Sequence, residues 1–175
     1  RPRSFNFGIY GEGAYRAAVE VQARGEADVA ASLAFARRHR LRVAVFSTGH
    51  DYKARSLVEN GLLLDMSRML GVDVDEPRGL VVAGTGVPGA ALLREVNRAT
   101  AGRRTVVAGY YPGVALCGFM GHGGVSPLSS TYGMGADALA GVDIVLYDGR
   151  VVTAMEGDAE HAELLRGIRG GGAST

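Results

Sequence analysis

The stretch VFSTGHDYKARSL, residues 45–57, concentrates hydrogen-bonding side chains around a single imidazole. It follows an apolar run at residues 41–45 that predicts a β-strand. Ser47 and Thr48 supply hydroxyl groups, and Gly49 lets the backbone approach another group closely. This combination is typical of a loop that wraps a ligand. Taken by itself, however, His50 is as well explained as an ordinary hydrogen-bonded loop histidine.

A second candidate site is the stretch AGYYPGVALCGFMGHGGVSPLSSTYGMGAD, residues 108–137, in which many of the chain's 27 glycines are concentrated. Pro112 and Gly113 predict a turn, and residues 114–121 predict a short helix. The N–H groups at the start of such a helix suit a phosphate or a ring carbonyl, and successive glycines let backbone lie flat against a ring system. The alternative is that these glycines only allow close packing between a helix and a strand.

A third motif, GTGVPG at residues 84–89, matches the G-x-G-x-x-G fingerprint of dinucleotide-binding proteins. Its context argues against that function. The strand before it is predicted to be the second arm of a hairpin, Pro88 lacks an N–H donor, and the next apolar segment, TVVAG, ends without an acidic residue for a ribose. We interpret GTGVPG as a tight strand-to-helix turn.

The elements that position these loops alternate between helix and strand. Residues 26–40 predict an amphipathic helix, with Val29, Leu33 and Ala36 on its inner face. Residues 88–99 predict a second helix that buries Leu92 and Val96.

Further elements follow from alternation and turn residues. We predict strands at residues 41–45, 61–66 and 104–109, hairpins that turn at residues 76–79 and at Asp148–Gly149, and a final helix within residues 159–172. No repeat or linker separates them, so the prediction is a mixed α/β fold without independent domains.

Composition excludes several classes of function. The net charge of +1 gives no long-range attraction to nucleic acid or to a membrane surface, and no apolar run reaches the ~18 residues of a membrane span. One cysteine excludes an internal disulfide framework, and His39, His122 and His161 have no ligand partner at metal-binding spacing. We therefore predict a small-molecule substrate, no metal, no nucleic acid and no membrane, while oligomeric state and compartment stay open, secretion included.

Several motifs together carry a family resemblance. The STGHD loop, GLLLDMSRM, the proline–glycine turn, GHGGVSPLSSTYGMGAD, DIVLYDGRVVTA and LLRGIRGGG follow one another in this order. In order and spacing they resemble the PCMH-type FAD-binding domain of FAD-linked oxidases in the vanillyl-alcohol oxidase superfamily, specifically the berberine bridge enzyme-like branch. The resemblance implies a mixed sheet with flanking helices at residues 21–175, an N-terminal extension at residues 1–20, and FAD as cofactor.

The resemblance also implies which residues hold FAD. Ser47, Thr48, Gly49 and Asp51 would line the diphosphate, and His50 would bond covalently to the methyl carbon of the flavin's benzene ring. The other implied cofactor-lining residues are Pro112, Gly113, Val114, Gly118 and Gly123 beside the isoalloxazine, Ser126, Tyr132 and Gly133 at the ribityl and phosphate part, and Asp137, Ala138 and Ile144 near the adenosine end.

Departures from the family pattern sharpen these expectations. Many relatives have a cysteine that forms a second flavin bond where this chain has Tyr111, and Cys117 stands at a family glycine, so we expect attachment through His50 alone. His122 and Val125 replace a glycine and a histidine of the GGGHSP pattern, and Ala138 stands where relatives often have Asn.

The implied function is an FAD-dependent oxidoreductase that breaks a C–H bond of an alcohol, sugar or secondary metabolite, passes hydride to FAD and uses oxygen as acceptor. The alternative is a non-catalytic remnant or fragment that binds nucleotide weakly or not at all. Relatives continue beyond the RGGG matched by residues 169–172 into a substrate-binding sheet and a returning segment with the catalytic base. We therefore expect the C-terminal substrate domain to be absent, and we assign no catalytic residue.

Overall fold

The computed structural model describes residues 15–172, and the chain divides into two compact units. The first unit combines the chain up to Met69 with Asp143–Thr153, and the second combines Leu70–Val142 with the chain from Ala154 onward. Each unit is thus built from two separate chain segments. This interleaving explains why no linker in the sequence marks the division.

The first unit is a small parallel sheet covered by a helix. Strands β1 (Val19–Gln22), β2 (Val43–Phe46) and β3 (Leu62–Asp65) pair in the order β1–β3–β2, and α1 (Glu26–His39) connects β1 to β2. The central strand is buried along its whole length, as expected for a parallel strand flanked on both sides. The domain boundary that we predict near residue 20 falls within β1 and stays a prediction.

Helix α1 forms for the reasons that the sequence indicates. Acidic residues occupy its first turn and basic residues its last, which complements the helix dipole. Val29 and Ala36 are buried in one cluster with Leu62 and Leu64 of β3, and Leu33 packs against that cluster. The predicted helix at residues 26–40 and its inner face are confirmed.

The second unit begins with a hairpin and a helix. Strands β4 (Val72–Asp75) and β5 (Leu80–Ala83) pair antiparallel, and α2 (Gly89–Ala99) follows. Val87, Leu92, Val96 and Leu116 form the buried core of this unit, so the predicted inner face of α2 is confirmed.

The rest of the chain contributes two short helices, a hairpin and a final helix. The elements are α3 (Leu116–Gly121), α4 (Ser129–Tyr132), β6 (Gly141–Val145), β7 (Val151–Met155) and α5 (Ala162–Gly171). Strands β6 and β7 form a two-stranded sheet around the predicted turn, where Gly149 has a φ of 94°. Helix α5 loses helical geometry at Arg169 and Gly170. None of the helices in residues 15–172 is long and apolar enough to cross a membrane.

The strand predicted at residues 104–109 is wrong. Val107 and Ala108 are buried, as the apolar pattern indicates, but the segment is irregular and joins no sheet. Strand formation requires a neighbouring strand to complete the ladder of hydrogen bonds, and burial alone does not supply one.

Candidate functional site

The loop at residues 47–51 leaves the parallel sheet at its carboxyl edge. Gln22 of β1 and Phe46 of β2 both stand in register with Asp65 of β3, so the three strands end at the same level. The loop begins directly after Phe46, whose carbonyl accepts a hydrogen bond from Met66 N–H at 2.8 Å. Ligands of parallel α/β sheets characteristically bind at this edge.

Gly49 and His50 give this loop its local character. Gly49 is buried and has a φ of 73°, a backbone conformation that side-chain-bearing residues adopt only at a cost. Burial lowers the pKa of His50 below its usual value of 6.5. The imidazole is therefore neutral at neutral pH, the form in which a ring nitrogen can act as a nucleophile.

The carboxylate of Asp51 makes its contacts inside the loop. One oxygen accepts a hydrogen bond from Lys53 N–H at 2.6 Å, and the other accepts one from Arg55 Nε at 2.7 Å. Burial raises the pKa of Asp51, but these hydrogen bonds outweigh it, so the pKa is lowered overall. The predicted role of Asp51 at a diphosphate stays a prediction, and the structure shows a role in closing the loop.

Sequence analysis missed several polar residues at the same edge of the sheet. Asp65 is buried and accepts hydrogen bonds from Gln22 Nε2 at 3.1 Å and from Ser67 N–H at 2.8 Å. Arg55 was missed as the partner of Asp51. A signal was available for Asp65, because an acidic residue that ends an apolar strand predicts local hydrogen bonding. The Asp-x-x-x-Arg spacing gave none for Arg55, because it predicts pairing within a helix and residues 51–55 are not helical.

In the second unit, the turn at residues 111–114 is closed by a hydrogen bond from Val114 N–H to the Tyr111 carbonyl at 3.2 Å. The carbonyls of Val114 and Pro112 accept the N–H groups of Gly89 and Ala90, which open α2. The donors at the start of α2 are thus engaged by the chain itself. This agrees with our interpretation of GTGVPG as a tight strand-to-helix turn.

The glycines of residues 109–135 fall into two groups. A Cβ added to Gly124 would lie 2.8 Å from Phe119 Cε1, and added to Gly109 it would lie 3.3 Å from Phe119 Cε2. These glycines, together with Gly135, make room for the phenyl ring, which is the packing alternative. A Cβ added to Gly118 would meet nothing within 4 Å, so the backbone there has an open face.

Residues 123–137 form a closely bonded loop. Gly124 O accepts Gly135 N–H, and Gly123 O accepts Ala136 N–H, each at 2.9 Å. Gly133 has a φ of 82°, and a Cβ there would lie 2.9 Å from the Asp137 carboxylate, which accepts Met134 N–H at 2.8 Å.

Two serines close the segment before α4. Ser126 is buried, its hydroxyl accepts Leu128 N–H, and its own N–H donates to the Ser129 hydroxyl at 2.9 Å.

The structure shows the surroundings of the residues that depart from the family pattern. His122 Nδ1 lies 2.8 Å from the Gly118 carbonyl, and its ring packs against Gly172. Burial raises the pKa of the Cys117 thiol, which disfavours the reactive thiolate. Exposed residues of the predicted site region include Tyr111, Val125, Tyr132 and Ala138.

The structure groups the predicted site residues by unit. Ser47, Thr48, Gly49, His50, Asp51 and Ile144 lie in the first unit, and Pro112, Gly113, Val114, Gly118, Gly123, Ser126, Tyr132, Gly133, Asp137 and Ala138 lie in the second. The donor set of the first group, hydroxyls and turn N–H groups, suits a diphosphate. The open backbone face at Gly118 suits a flat ring system. Each group, taken by itself, therefore suits a part of FAD.

Comparison with known proteins gives a consistent result. The sequence matches the FAD binding domain family over residues 17–155. It is 34% identical over 153 residues to an FAD-linked oxidoreductase of Hypocrea jecorina, covering 85% of this chain and 26% of the relative. The chain spans about a quarter to a third of the length of the curated relatives it matches.

Solved structures agree with the sequence match. Glucooligosaccharide oxidase from Acremonium strictum, described with a 6-S-cysteinyl, 8α-N1-histidyl FAD, superimposes with a TM-score of 0.84 at 27% identity, covering 91% of this chain and 33% of that one. The BBE-like 1 protein of Physcomitrella patens has a TM-score of 0.82 at 26% identity, covering 92% of this chain and 35% of that one.

Proposed function

The chain belongs to the FAD-binding domain family of the vanillyl-alcohol oxidase type, with FAD as its cofactor, and from this premise we propose that it forms the flavin-binding part of an FAD-dependent oxidoreductase. The likeness to the Physcomitrella patens protein supports a place in the berberine bridge enzyme-like branch. The observation that carries the proposal is the loop at residues 47–51, which combines a positive-φ glycine and a neutral histidine at the carboxyl edge of the sheet.

His50 is the attachment point of the flavin in this proposal. Covalent attachment requires an unprotonated ring nitrogen, and the lowered pKa of His50 keeps its imidazole neutral at physiological pH. Ser47 and Thr48 would donate hydroxyl hydrogen bonds to the diphosphate, and Gly49 would let the backbone of the loop approach it.

Attachment takes place through His50 alone. The Acremonium strictum oxidase is described with both a histidyl and a cysteinyl bond to its FAD. This chain has Tyr111 at the family's cysteine position, and burial raises the pKa of Cys117, its one cysteine. Cys117 is an exposed residue even though its thiol is desolvated, and a protonated thiol is a poor nucleophile, so we assign it no bond to the flavin.

When bound, FAD supplies an acceptor for the hydride of a substrate C–H bond and returns its electrons to oxygen. The chain's own residues hold and orient it. The turn at residues 112–114, Gly118 and Gly123 would lie beside the isoalloxazine, and the loop at residues 126–133 would close over the ribityl and phosphate part.

The substrate is a small molecule, and we place it among alcohols, sugars and secondary metabolites. The name of the Acremonium strictum neighbour supports a sugar, and the hydroxyl-bearing Tyr111 and Tyr132 are exposed in the same unit. Neither nucleic acid nor a membrane is a partner in this proposal, which assigns FAD binding to residues 21–175 and an extension to residues 1–20.

Acid precipitation of the purified flavoprotein tests the attachment. The denatured pellet should stay yellow for the unmodified chain and for a His161→Ala control, whereas His50→Ala should release its flavin into the supernatant. A yellow pellet from the His50→Ala protein would overturn the attachment, and a chain without the visible absorption of flavin would overturn the proposed function.

A further inference from the structure

The segment after His50 contains an ion pair to which nothing so far assigns a role. Arg55 donates from Nε to the Asp51 carboxylate at 2.7 Å. The Asp51 side chain is 14% exposed and that of Arg55 is 50% exposed. Among residues 15–172, the Nη groups of Arg55 have no hydrogen-bond or ion-pair partner. The two Nη groups of Arg55 therefore remain available beside the loop.

The backbone fixes this arrangement. Ala54 is buried and has a φ of 56°, an uncommon conformation for a residue with a side chain. Its carbonyl accepts Leu57 N–H at 3.0 Å, and Lys53 N–H donates to Asp51 at 2.6 Å. The turn that carries Arg55 is thus closed on both sides. A side chain on such a turn loses less freedom when it binds an anion than one on an open loop.

We propose that Arg55 binds the FAD diphosphate and that Asp51 is a positioning residue that aims its guanidinium. This inference rests on the proposed function, because it takes residues 47–51 as the diphosphate loop. The family resemblance implies that Asp51 itself lines the diphosphate. In this proposal the Asp51 carboxylate contacts Arg55 and the loop, and the Arg55 guanidinium contacts the phosphate oxygens.

Charge favours this assignment. A carboxylate cannot donate a hydrogen bond, and an unpaired Asp51 beside a diphosphate would repel it. Arg55 cancels that charge through Nε and still offers its Nη donors, whose planar geometry matches phosphate oxygens. The neutral His50 adds no charge of its own.

Reversible FAD binding by His50→Ala variants of the full chain tests the proposal by flavin fluorescence. Arg55→Gln should weaken FAD binding about tenfold, the lower end of the effect of a hydrogen bond to a charged group. Riboflavin, which lacks the diphosphate, should bind with unchanged affinity. Lys53→Gln removes the same charge from the same loop but keeps the backbone N–H that donates to Asp51, so it should leave FAD affinity nearly unchanged.

The role of Asp51 is tested by a double-mutant cycle. Asp51→Asn should weaken FAD binding because Arg55 is then no longer held in place. Adding it to Arg55→Gln should cause no further loss of affinity, because it removes the unpaired carboxylate that would repel the diphosphate. Raised salt should weaken FAD binding to the Arg55-containing protein more than to Arg55→Gln.

The outcomes separate this inference from the proposed function. The Arg55 assignment alone would be overturned if Lys53→Gln and Arg55→Gln lost equal FAD affinity. It would also be overturned if Arg55→Gln lost as much riboflavin affinity as FAD affinity. Additive losses in the cycle would overturn the positioning role of Asp51. If neither the unmodified chain nor its His50→Ala variant bound FAD, the proposed function would fail as well.

Discussion

At the scale of single residues, the protonation state of His50 has a consequence for stability. Its pKa is lowered by burial in the folded chain, whereas the unfolded chain keeps the usual value of 6.5. Below that value the unfolded chain takes up a proton that the folded chain does not, so stability falls as pH falls. Well above pH 6.5, His50 is unprotonated in both the folded and the unfolded chain, so it no longer changes stability with pH.

We therefore expect the melting temperature of the apoprotein to fall more steeply than that of His50→Gln between about pH 7.5 and about pH 5. Thermal unfolding followed by circular dichroism measures both. Parallel pH profiles for the two proteins would contradict a lowered pKa at His50.

Two glycines provide a second residue-scale prediction, which separates packing from cofactor contact. Gly118→Ala adds a methyl group into open space inside α3, so it should stabilise the apoprotein by up to about 1 kcal/mol. If Gly118 faces the flavin, the same methyl group should weaken FAD binding. In Gly118→Ala, the free energy of unfolding measured by chemical denaturation should therefore rise, while the FAD affinity measured by flavin titration should fall.

Gly124→Ala is the matched control. Its methyl group would lie 2.8 Å from Phe119 and 3.0 Å from Gly135 Cα, and the residue has a φ of 76°. We expect about 1–3 kcal/mol of destabilisation from this overpacking. Equal stability of Gly118→Ala and Gly124→Ala would contradict the division of the glycines into two groups.

These glycines also show what residue types can and cannot predict. Crowded glycine predicted close backbone approach correctly, yet the pattern alone could not show what approaches. The ring of Phe119 fills the space at Gly109, Gly124 and Gly135, a contact that depends on three-dimensional packing. Likewise, Asp51 was identified as a site residue, but its pairing with Arg55 depends on the turn geometry at Ala54.

At the scale of elements, the backbone at the C-terminal end of α1 is strained. Arg40 caps the helix with a φ of 53°, where glycine is normally favoured. Arg40→Gly should stabilise the protein by about 0.5–1 kcal/mol, because glycine adopts this conformation without a Cβ clash.

Arg38→Gly is the control for the cap, with the same change of charge inside the last turn of α1. It should destabilise the protein by about 1 kcal/mol, since glycine is unfavourable within a helix. Urea denaturation of both variants compares the two effects. Destabilisation by Arg40→Gly similar to that by Arg38→Gly would show that the cap is not strained.

Elements with strong periodicity or clear turn residues were predictable. Helix α1, the β4–β5 hairpin and the turn at Asp148–Gly149 follow from local patterns and are confirmed. The missed strand β1 and the wrong strand at residues 104–109 have a common cause. Whether an apolar segment becomes a strand depends on a distant partner, here Leu62–Asp65 for β1, and local sequence does not encode that partner.

At the scale of the whole molecule, two units share one continuous chain without a linker between them. Each unit has its own buried cluster, around Leu62 and Leu64 in the first and around Leu92 and Val96 in the second. The FAD binding domain family matches residues 17–155, which include residues of both units. Local patterns could not reveal the division, since each unit draws on distant segments.

The last prediction concerns turnover by these 175 residues. Hydride transfer from an alcohol needs a base for the hydroxyl proton, and His50 is reserved for the flavin in our proposal. Asp75, Glu76 and Glu95 of the second unit are each engaged in an ion pair with an arginine. The curated relatives are three to four times longer than the stretch matched here, so most of their length has no counterpart in these residues.

We therefore expect the chain to hold FAD without reducing it. Under anaerobic conditions, alcohols and sugars should leave the visible flavin absorption unchanged over hours, whereas a chemical reductant such as dithionite should bleach it at once. That control shows that the bound flavin is accessible and redox-competent. Rapid bleaching by any alcohol or sugar would demonstrate a complete catalytic site within residues 1–175, and the search for its base would then begin with the exposed Asp73 and Tyr132.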